Sequence, residues 1–239
     1  MKANDYAYPG NELELFAGAV HWKRYFASLL KPHISGDILE AGAGNGANTP
    51  YLMNDLVESW TLLEPDRSMC TTIHQLINAH TLPSSCNCVH GTITSIPELP
   101  RFDCILYIDV LEHIENDRQE LIEAKKRLKP GGRLIILAPA HQKLMSPFDK
   151  AIGHFRRYSR RSLQDIIPGG MAQVRTLYAD SLGLLASIVN RWILRQTMPR
   201  KEQIRFWDDR LIPGSRVTDK ILLHLAGRSI IGIWEKTSK

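Results

Sequence analysis

The chain has 239 residues, of which 44% are hydrophobic and 23% are charged, and its formal net charge is +5. These proportions are typical of one globular domain, and the absence of repeats and low-complexity segments argues against a fibrous or solenoid architecture. The longest apolar stretch, residues 182–194, is too short to cross a bilayer and contains Arg191. The first residues lack the apolar run of a signal peptide. We therefore expect a cytoplasmic protein.

The first 140 residues predict an α/β fold. Apolar positions at helical spacing predict a helix over residues 11–31, where Lys31-Pro32 ends the pattern. Short apolar runs then alternate with amphipathic segments, which predicts a parallel sheet with helices on both faces. The predicted strands cover residues 38–41, 60–63, 88–90, 102–108 and 133–137, with helices over 47–56, 67–79 and 117–128 and a turn at 129–132.

The last hundred residues have weaker patterns. They predict a helix over 160–167, a strand over 174–178, a helix over 182–194, an irregular segment over 196–216, a helix over 218–226 and a final strand over 229–234. The basic residues gather at 156–161 and 191–205. Such a distribution is compatible with an anionic substrate or a membrane surface, and Trp192 and Trp207 could rest on lipid.

The most informative segment is E-A-G-A-G-N-G over residues 40–46, which follows the first predicted strand. Glycine allows a sharp turn and close approach of a ligand to the main chain. The spacing differs from the dinucleotide fingerprint G-x-G-x-x-G, and the Gly-Lys-Ser/Thr ending of a phosphate loop is missing. Glu40 would repel a pyrophosphate but suits a ligand with an ammonium group, such as S-adenosylmethionine (SAM). The alternative is an ordinary glycine-rich turn.

A second acid, Glu64, ends the second predicted strand. One carboxylate can accept hydrogen bonds from two hydroxyls on adjacent ribose carbons, so this position predicts ribose binding. The alternative is a carboxylate that caps the following helix or faces solvent.

Two further segments complete a family pattern. Residues 109–113 read D-V-L-E-H at the end of the fourth predicted strand, and residues 128–134 read L-K-P-G-G-R-L before the fifth. Together with the glycine-rich loop and Glu64, they resemble the motifs of the class I SAM-dependent methyltransferases over residues 36–140. The resemblance implies an α/β, Rossmann-like, doubly wound seven-stranded sheet, with N-terminal helices and a helical insertion near the C-terminus.

The length of the chain and its predicted elements indicate a single domain over residues 1–239. Its parts are a helical cap (1–35), a SAM-binding core (36–140), a substrate lid (141–170) and C-terminal strands (171–239) that contain a helical insertion (181–227). The implied SAM site consists of Glu40, Gly42, Ala43, Gly44, Gly46, Glu64, Pro65, Gly91, Thr92, Ile93, Ile108, Asp109 and Val110. Thr92 stands where the family commonly has Asp, so adenine recognition is expected to depend more on backbone groups.

The segment after the fifth strand reads P-F-D-K-A-I-G-H-F-R-R-Y over residues 147–158. It resembles a subset of the family with the signature P-x-D-x-x-x-G-H-x-R-R-Y, often encountered beside glycosyltransferases of cell-surface polysaccharide synthesis. Paired arginines suit phosphate or carboxylate groups. The predicted substrate-binding residues are Asp149, Arg156, Arg157 and Tyr158. Two alternatives compete: the arginines are a solvated helix entry, or His154 and Asp149 hold the lid together internally.

Three histidines are candidate catalytic groups: His113, His141 and His154. Imidazole titrates near neutral pH and could accept a proton from a hydroxyl acceptor. No metal site is expected, since Cys86 and Cys88 are separated by one residue only, which is not a zinc spacing. We expect all four cysteines to be reduced thiols.

The functional hypothesis is methyl transfer from SAM to a small-molecule, sugar or lipid-linked acceptor, which could be anionic. Peripheral contact with a membrane is compatible with the sequence, and no nucleic-acid partner is expected. The main alternative is a SAM-binding protein of a surface-polysaccharide assembly system that does not catalyse. A nicotinamide oxidoreductase is disfavoured by the glycine spacing and by Glu40.

Overall fold

A computed structural model describes residues 16–190 and 199–237. The described residues form one seven-stranded sheet in the order β3-β2-β1-β4-β5-β7-β6. Strands β1 to β5 pair in parallel, and β7 runs antiparallel to its neighbours β5 and β6. The strands are β1 (Gly36–Ala41), β2 (Val57–Glu64), β3 (Cys86–His90), β4 (Phe102–Ile108), β5 (Leu128–Pro139), β6 (Met171–Ala179) and β7 (Ser229–Lys236).

The helices follow the strands in the alternation that the sequence predicts. They are α1 (Val20–Leu30), α2 (Thr49–Leu52), α3 (Arg67–Asn78), α4 (Asp117–Arg127), α5 (Pro147–Ala151), α6 (Arg160–Ile166), α7 (Ser181–Val189), α8 (Lys201–Phe206) and α9 (Ile212–Ile221), with a π-helical turn over Trp207–Leu211. This arrangement confirms the predicted Rossmann-like, seven-stranded α/β fold.

Successive residues of the central strands point to two separate apolar layers. Ile38 of β1 and Leu106 of β4 belong to the layer under α1 and α3, whereas Leu39 and Ile105 belong to the layer under α4 and α6. Both layers are fully buried, which explains why these strands are continuous apolar runs rather than alternating ones. Since the strands are covered on both faces, their carboxyl ends are where the chain can offer polar groups to a ligand.

The C-terminal helices are tied to the first helix by buried carboxylates. Asp208 accepts hydrogen bonds from the backbone N–H groups of His21 (3.0 Å) and Trp22 (2.8 Å) at the start of α1. Asp219 of α9 accepts one from the Tyr25 hydroxyl at 2.6 Å. These contacts fix α1 against the π-helical turn and α9.

Several predicted elements differ from the structure. The segment predicted to be irregular, residues 196–216, contains α8, the π-helical turn and the start of α9 within its described part. Pro213 is the second residue of α9 and follows the π-helical turn directly. The helix predicted over 218–226 ends at Ile221, and Leu223 and His224 adopt left-handed backbone conformations.

Two predictions in the first half also need correction. The helix predicted over 47–56 covers Thr49–Leu52 only, since Asn54 accepts a hydrogen bond from the Leu56 N–H in a local turn. The turn predicted at 129–132 lies inside β5 as an irregularity, where the pairing with β4 shifts register between Phe102 and Cys104. Trp207, one of the two tryptophans considered for lipid contact, is buried, and Trp192 lies outside the described residues.

Among the described helices, none combines the length and the apolar character that crossing a bilayer requires.

Candidate active site

The candidate site is a cavity of about 240 Å³ at the carboxyl ends of β1, β2, β4 and β5. Gly42, Glu64, Asp109 and Pro139, one from the end of each of these strands, lie in its wall. Open α/β sheets bind their ligands at this edge, where the strand order reverses. The predicted SAM motifs therefore meet in one place.

The glycine-rich loop forms one wall of the cavity through Gly42, Ala43 and Gly44. Gly42 has a φ of +68°, and a Cβ at this position would lie 2.6 Å from a methyl of Val110. Only glycine therefore allows the loop after β1 to pack against the loop after β4. The close packing presents the backbone of residues 42–44 to the cavity.

Glu64 joins the end of β2 to the glycine-rich loop. Its Oε2 accepts a hydrogen bond from the Gly44 N–H at 2.7 Å, and its Oε1 accepts one from the Asp66 N–H at 2.9 Å. Burial raises the pKa of Glu64 to about 7. The carboxylate still has acceptor positions for hydroxyl donors in the cavity, as ribose recognition requires.

Glu40 lies beneath the loop rather than in the cavity wall. Its Oε2 accepts hydrogen bonds from the Thr49 hydroxyl at 2.7 Å and from Trp60 Nε1 at 2.8 Å. Burial raises the pKa of Glu40 to about 7. In this structure the side chain joins Thr49, the first residue of α2, to Trp60 of β2.

The loop after β4 contributes Asp109 and Val110. Asp109 has a left-handed backbone with a φ of +53°, and its N–H donates to the Leu137 carbonyl at 2.8 Å. A left-handed conformation is uncommon for a residue with a side chain, and such positions gather at functional sites. It places the Asp109 carboxylate in the cavity wall.

The lid segment closes another side of the cavity through Asp149, His154 and Arg157. Arg157 binds the Asp149 carboxylate through two nitrogens, Nε at 2.9 Å and Nη2 at 3.0 Å. His154 Nδ1 lies 3.1 Å from Asp149 Oδ1. This internal network and contact with the cavity occur together, so the two alternatives considered for the lid do not exclude each other.

His113 and Glu112 lie next to His154 in the cavity wall. The rings of His113 and His154 are nearly perpendicular, with centroids 4.5 Å apart. Burial, and next the neighbouring His154, lower the pKa of His113 to about 3, so this imidazole is neutral at physiological pH. Burial also raises the pKa of Glu112 well above its usual range.

Other predicted site residues lie away from the cavity. His141 stacks on Tyr178, and its Nε2 lies 3.0 Å from the Gly227 carbonyl oxygen. Arg156 and Tyr158 both bind Asp117, the first at 2.6 Å and the second at 2.8 Å. The remaining residues outside the cavity wall are Gly46, Gly91, Thr92 and Ile93, of which Thr92 caps a short helical turn through Ser95.

The structure adds wall residues that the sequence motifs did not suggest. Trp22, Lys23 and Phe26 of α1 line the cavity, as does Arg228 immediately before β7. Burial lowers the pKa of Lys23. A lysine on the otherwise apolar face of a predicted helix was the signal available for Lys23. No sequence signal indicated Arg228, because this residue lies far along the chain from every motif.

Comparison with known proteins agrees with this geometry. Residues 39–136 match a protein family described as "Methyltransferase domain". The demethylmenaquinone methyltransferase of Tropheryma whipplei (strain Twist) is 27% identical over 150 residues, which cover 59% of each of the two chains. The match thus spans less than two thirds of that relative's length.

Solved structures share the fold over nearly the whole chain. A geranyl diphosphate methyltransferase in complex with SAM superposes with a TM-score of 0.64 at 13% identity, covering 99% of this chain and 94% of the other. Phosphoethanolamine N-methyltransferase 2 of Haemonchus contortus, also in complex with SAM, has a TM-score of 0.64 at 12% identity, covering 95% of this chain and 56% of that one.

The sheet order, the glycine-rich loop and the matched domain together define the fold of the class I methyltransferases. Residues 39–136 match the methyltransferase domain, and the fold is shared with solved methyltransferases that bind SAM. These comparisons agree with the predicted methyl transfer and with SAM as the methyl donor, and the alternative of a SAM-binding protein without activity is not favoured. The individual SAM-binding, substrate-binding and catalytic residues stay predictions.

Proposed function

We propose that this enzyme methylates a hydroxyl group of a small acceptor that carries an anionic or sugar headgroup, including lipid-linked sugars, in the cavity between the glycine-rich loop and the lid. The observation that carries the proposal is the division of the cavity wall. One end offers acids and main-chain groups, and the other offers imidazoles and two arginines.

The first end suits SAM. Glu64 would accept hydrogen bonds from the ribose hydroxyls, and the backbone of residues 42–44 allows close approach. Asp109 and Lys23 offer a carboxylate and an ammonium for the oppositely charged groups of the methionine part. SAM supplies a methyl group on a positively charged sulfur, which makes that carbon open to displacement by a nucleophile.

The second end suits a polar acceptor. Arg157 and Arg228 both lie in the wall, and a guanidinium binds carboxylate or phosphate groups through paired hydrogen bonds. Asp149 already occupies two nitrogens of Arg157. Arg228 therefore has the larger share of its donors available for an anionic group.

An adjoining cavity of about 540 Å³ supports an acceptor with an apolar part. It shares Phe148, Arg157, Trp207 and Arg228 with the first cavity. Apolar side chains, including Leu144, Val189, Ile204 and Leu211, form much of the rest of its wall. A headgroup at the arginines and an apolar chain in this second cavity would match a lipid-linked acceptor.

One exposed surface of the protein is compatible with peripheral contact with a membrane. Ile221, Leu222 and Leu223, at and after the end of α9, are exposed, and Arg216 and Lys220 lie in the same helix. Exposed apolar side chains combined with basic ones are typical of surfaces that bind anionic lipid. This contact would bring the enzyme to a lipid-linked acceptor.

In the chemical step, the lid and α1 hold the acceptor and exclude water, while His154 and His113 face the reacting hydroxyl. A neutral imidazole can accept the proton that a hydroxyl loses on methylation. Since the thioether that leaves is neutral, alignment of acceptor and donor is the main requirement.

The test uses purified enzyme, SAM labelled in the methyl group and a panel of acceptors: free sugars, nucleotide sugars and polyprenyl-phosphate-linked sugars. We expect labelled product from an acceptor with both a sugar hydroxyl and an anionic group, and alkali-stable label in the product if an ether is formed. Transfer exclusively to amines, or to uncharged acceptors, would contradict the proposed acceptor class while leaving the methyltransferase assignment intact.

A further inference from the structure

Three side chains at the acceptor end of the cavity converge on one point. Glu112 and His113 follow β4, and His154 comes from the lid. One ligand atom from each of the three lies within 4.8 Å of the others, and His154 Nε2 is 3.8 Å from Glu112 Oε1. Imidazole nitrogen and carboxylate oxygen are typical ligands of divalent metal ions.

Glu112 has a feature that the fold does not explain. Its side chain is 1% exposed, and its Oε2 has no hydrogen-bond partner among the described residues. Leaving a buried carboxylate oxygen without a partner is energetically costly, and buried acids are normally paired or bound to a metal. Nearby Asp109 and Asp149 add negative charge to the same cavity. Glu112 therefore lies where a cation would be stabilised.

The orientation of His154 fits the same interpretation. Asp149, fixed by Arg157, accepts a hydrogen bond from His154 Nδ1, which leaves Nε2 directed towards Glu112. Histidines that bind metals typically donate their other ring N–H to a carboxylate or a backbone carbonyl. His113 has the equivalent interaction with the Ile152 backbone. Both imidazoles are thus held by the groups that usually orient metal ligands.

We propose that Glu112, His113 and His154 bind one divalent first-row transition-metal ion. Ligand atoms around such an ion lie about 3–4 Å apart, so a small movement of the lid would complete the site. Two imidazoles favour a transition metal over Mg²⁺. The inference rests on the proposed function and deepens it, because a metal ion here would bind and polarise the acceptor oxygen. The imidazoles would then hold the ion instead of accepting the proton themselves.

The experiment measures Mn²⁺ binding to metal-stripped enzyme, using the electron paramagnetic resonance signal of the free ion. We expect one Mn²⁺ per chain, and at least a ~10-fold weaker affinity in Glu112→Gln and His154→Gln. The control is His21→Gln. His21 lies in a second cluster of possible ligands, with buried Asp208 and exposed Asp209, and this variant should bind Mn²⁺ as the unaltered enzyme does.

Pulsed measurements on the unaltered enzyme provide a readout that does not depend on any variant folding. They should show ¹⁴N couplings from imidazole to bound Mn²⁺. Binding that survives Glu112→Gln but disappears in His21→Gln, the absence of ¹⁴N coupling, or the absence of stoichiometric binding would each overturn the inference. S-adenosylhomocysteine binding, measured in parallel, separates the two proposals. If it persists without Mn²⁺ binding, the metal inference alone fails.

Discussion

The Glu64 carboxylate accepts a hydrogen bond from the Gly44 N–H at 2.7 Å, although Glu64 is the last residue of β2 and Gly44 lies in the loop after β1. This contact fixes the glycine-rich loop relative to the end of β2. It also keeps the Glu64 side chain, which is 3% exposed, at the cavity wall. One residue thus shapes the loop and offers acceptor positions to a nucleoside.

The pKa of Glu64, which burial raises to about 7, predicts a pH dependence of nucleoside binding. Ribose hydroxyls donate to the ionised carboxylate, so binding favours the deprotonated form. Between pH 6 and pH 8 the ionised fraction of a group with this pKa rises about tenfold. We expect the affinity for S-adenosylhomocysteine to rise by up to that factor over this range, as measured by calorimetry.

The control for this pH dependence is Glu64→Gln, which has no titratable group at the position. Its affinity should be lower than that of the unaltered enzyme at pH 8 and nearly constant from pH 6 to pH 8. An equally steep pH dependence in Glu64→Gln would assign the effect to another group, for which buried Glu40 is the first candidate, since its pKa is also raised to about 7.

Arg156 and Arg157, which are adjacent in the lid, allow two matched substitutions whose effects on the free energy of unfolding can be compared. Arg157→Met removes the two-nitrogen contact with Asp149, whose side chain is 1% exposed, and should lower the free energy of unfolding by about 3 kcal/mol. Arg156→Met breaks the ion pair with Asp117 at a side chain that is 27% exposed, and should cost at most about 1 kcal/mol. Urea denaturation of both variants measures the difference, and equal losses would contradict the assigned role of the Asp149 pair.

Asp208 is expected to stabilise the protein by capping α1 from the other end of the chain. Asp208→Ala removes the acceptor of two backbone N–H groups and should lower the free energy of unfolding by about 1–3 kcal/mol. Asp209→Ala, which loses only an exposed pair with Arg205, should change it by less than about 0.5 kcal/mol. A destabilised Asp209 variant and an unaffected Asp208 variant in thermal unfolding would refute the proposed cap.

Once an acceptor is identified, substitutions of His154 and His141 should differ in their effect on kcat. His154→Ala removes a side chain of the cavity wall and should lower kcat by about 10²–10⁴-fold. His141→Ala removes the stacking on Tyr178 and the contact with Gly227, so we expect lower stability with kcat changed less than about threefold. A large kcat loss in His141→Ala with unchanged stability would restore its predicted catalytic role.

The central sheet could be predicted because its strands are long apolar runs and its motifs follow one another in a fixed order. The first five strands, α3 and α4 all lie where the pattern indicates. The prediction of an irregular segment over residues 196–216 was wrong for a physical reason. Ser215 and Asp219 on the buried side of α9 are polar and bind Asp180 and its neighbours, so the usual apolar periodicity is missing.

The cavity was only partly predictable. Gly42, Glu64 and Asp109 follow strands of the sheet, and the carboxyl ends of parallel strands meet at one edge. Lys23 and Arg228 reach the same cavity through α1 and the loop before β7, whose positions depend on long-range contacts such as those of Asp208. His141 and Tyr158 belong to the lid segment (141–170) but are directed to structural partners, which sequence proximity does not reveal.

The most direct test of the assigned SAM site is a calorimetric titration with S-adenosylhomocysteine of three proteins: the unaltered enzyme, Glu64→Gln and Glu58→Gln. Glu58 lies in the same strand but is exposed, so it is a matched control. We predict micromolar binding to the unaltered enzyme and Glu58→Gln, and a loss of about 10- to 100-fold in Glu64→Gln. Equal affinity in all three proteins, or binding of NAD in preference to S-adenosylhomocysteine, would contradict the assigned site.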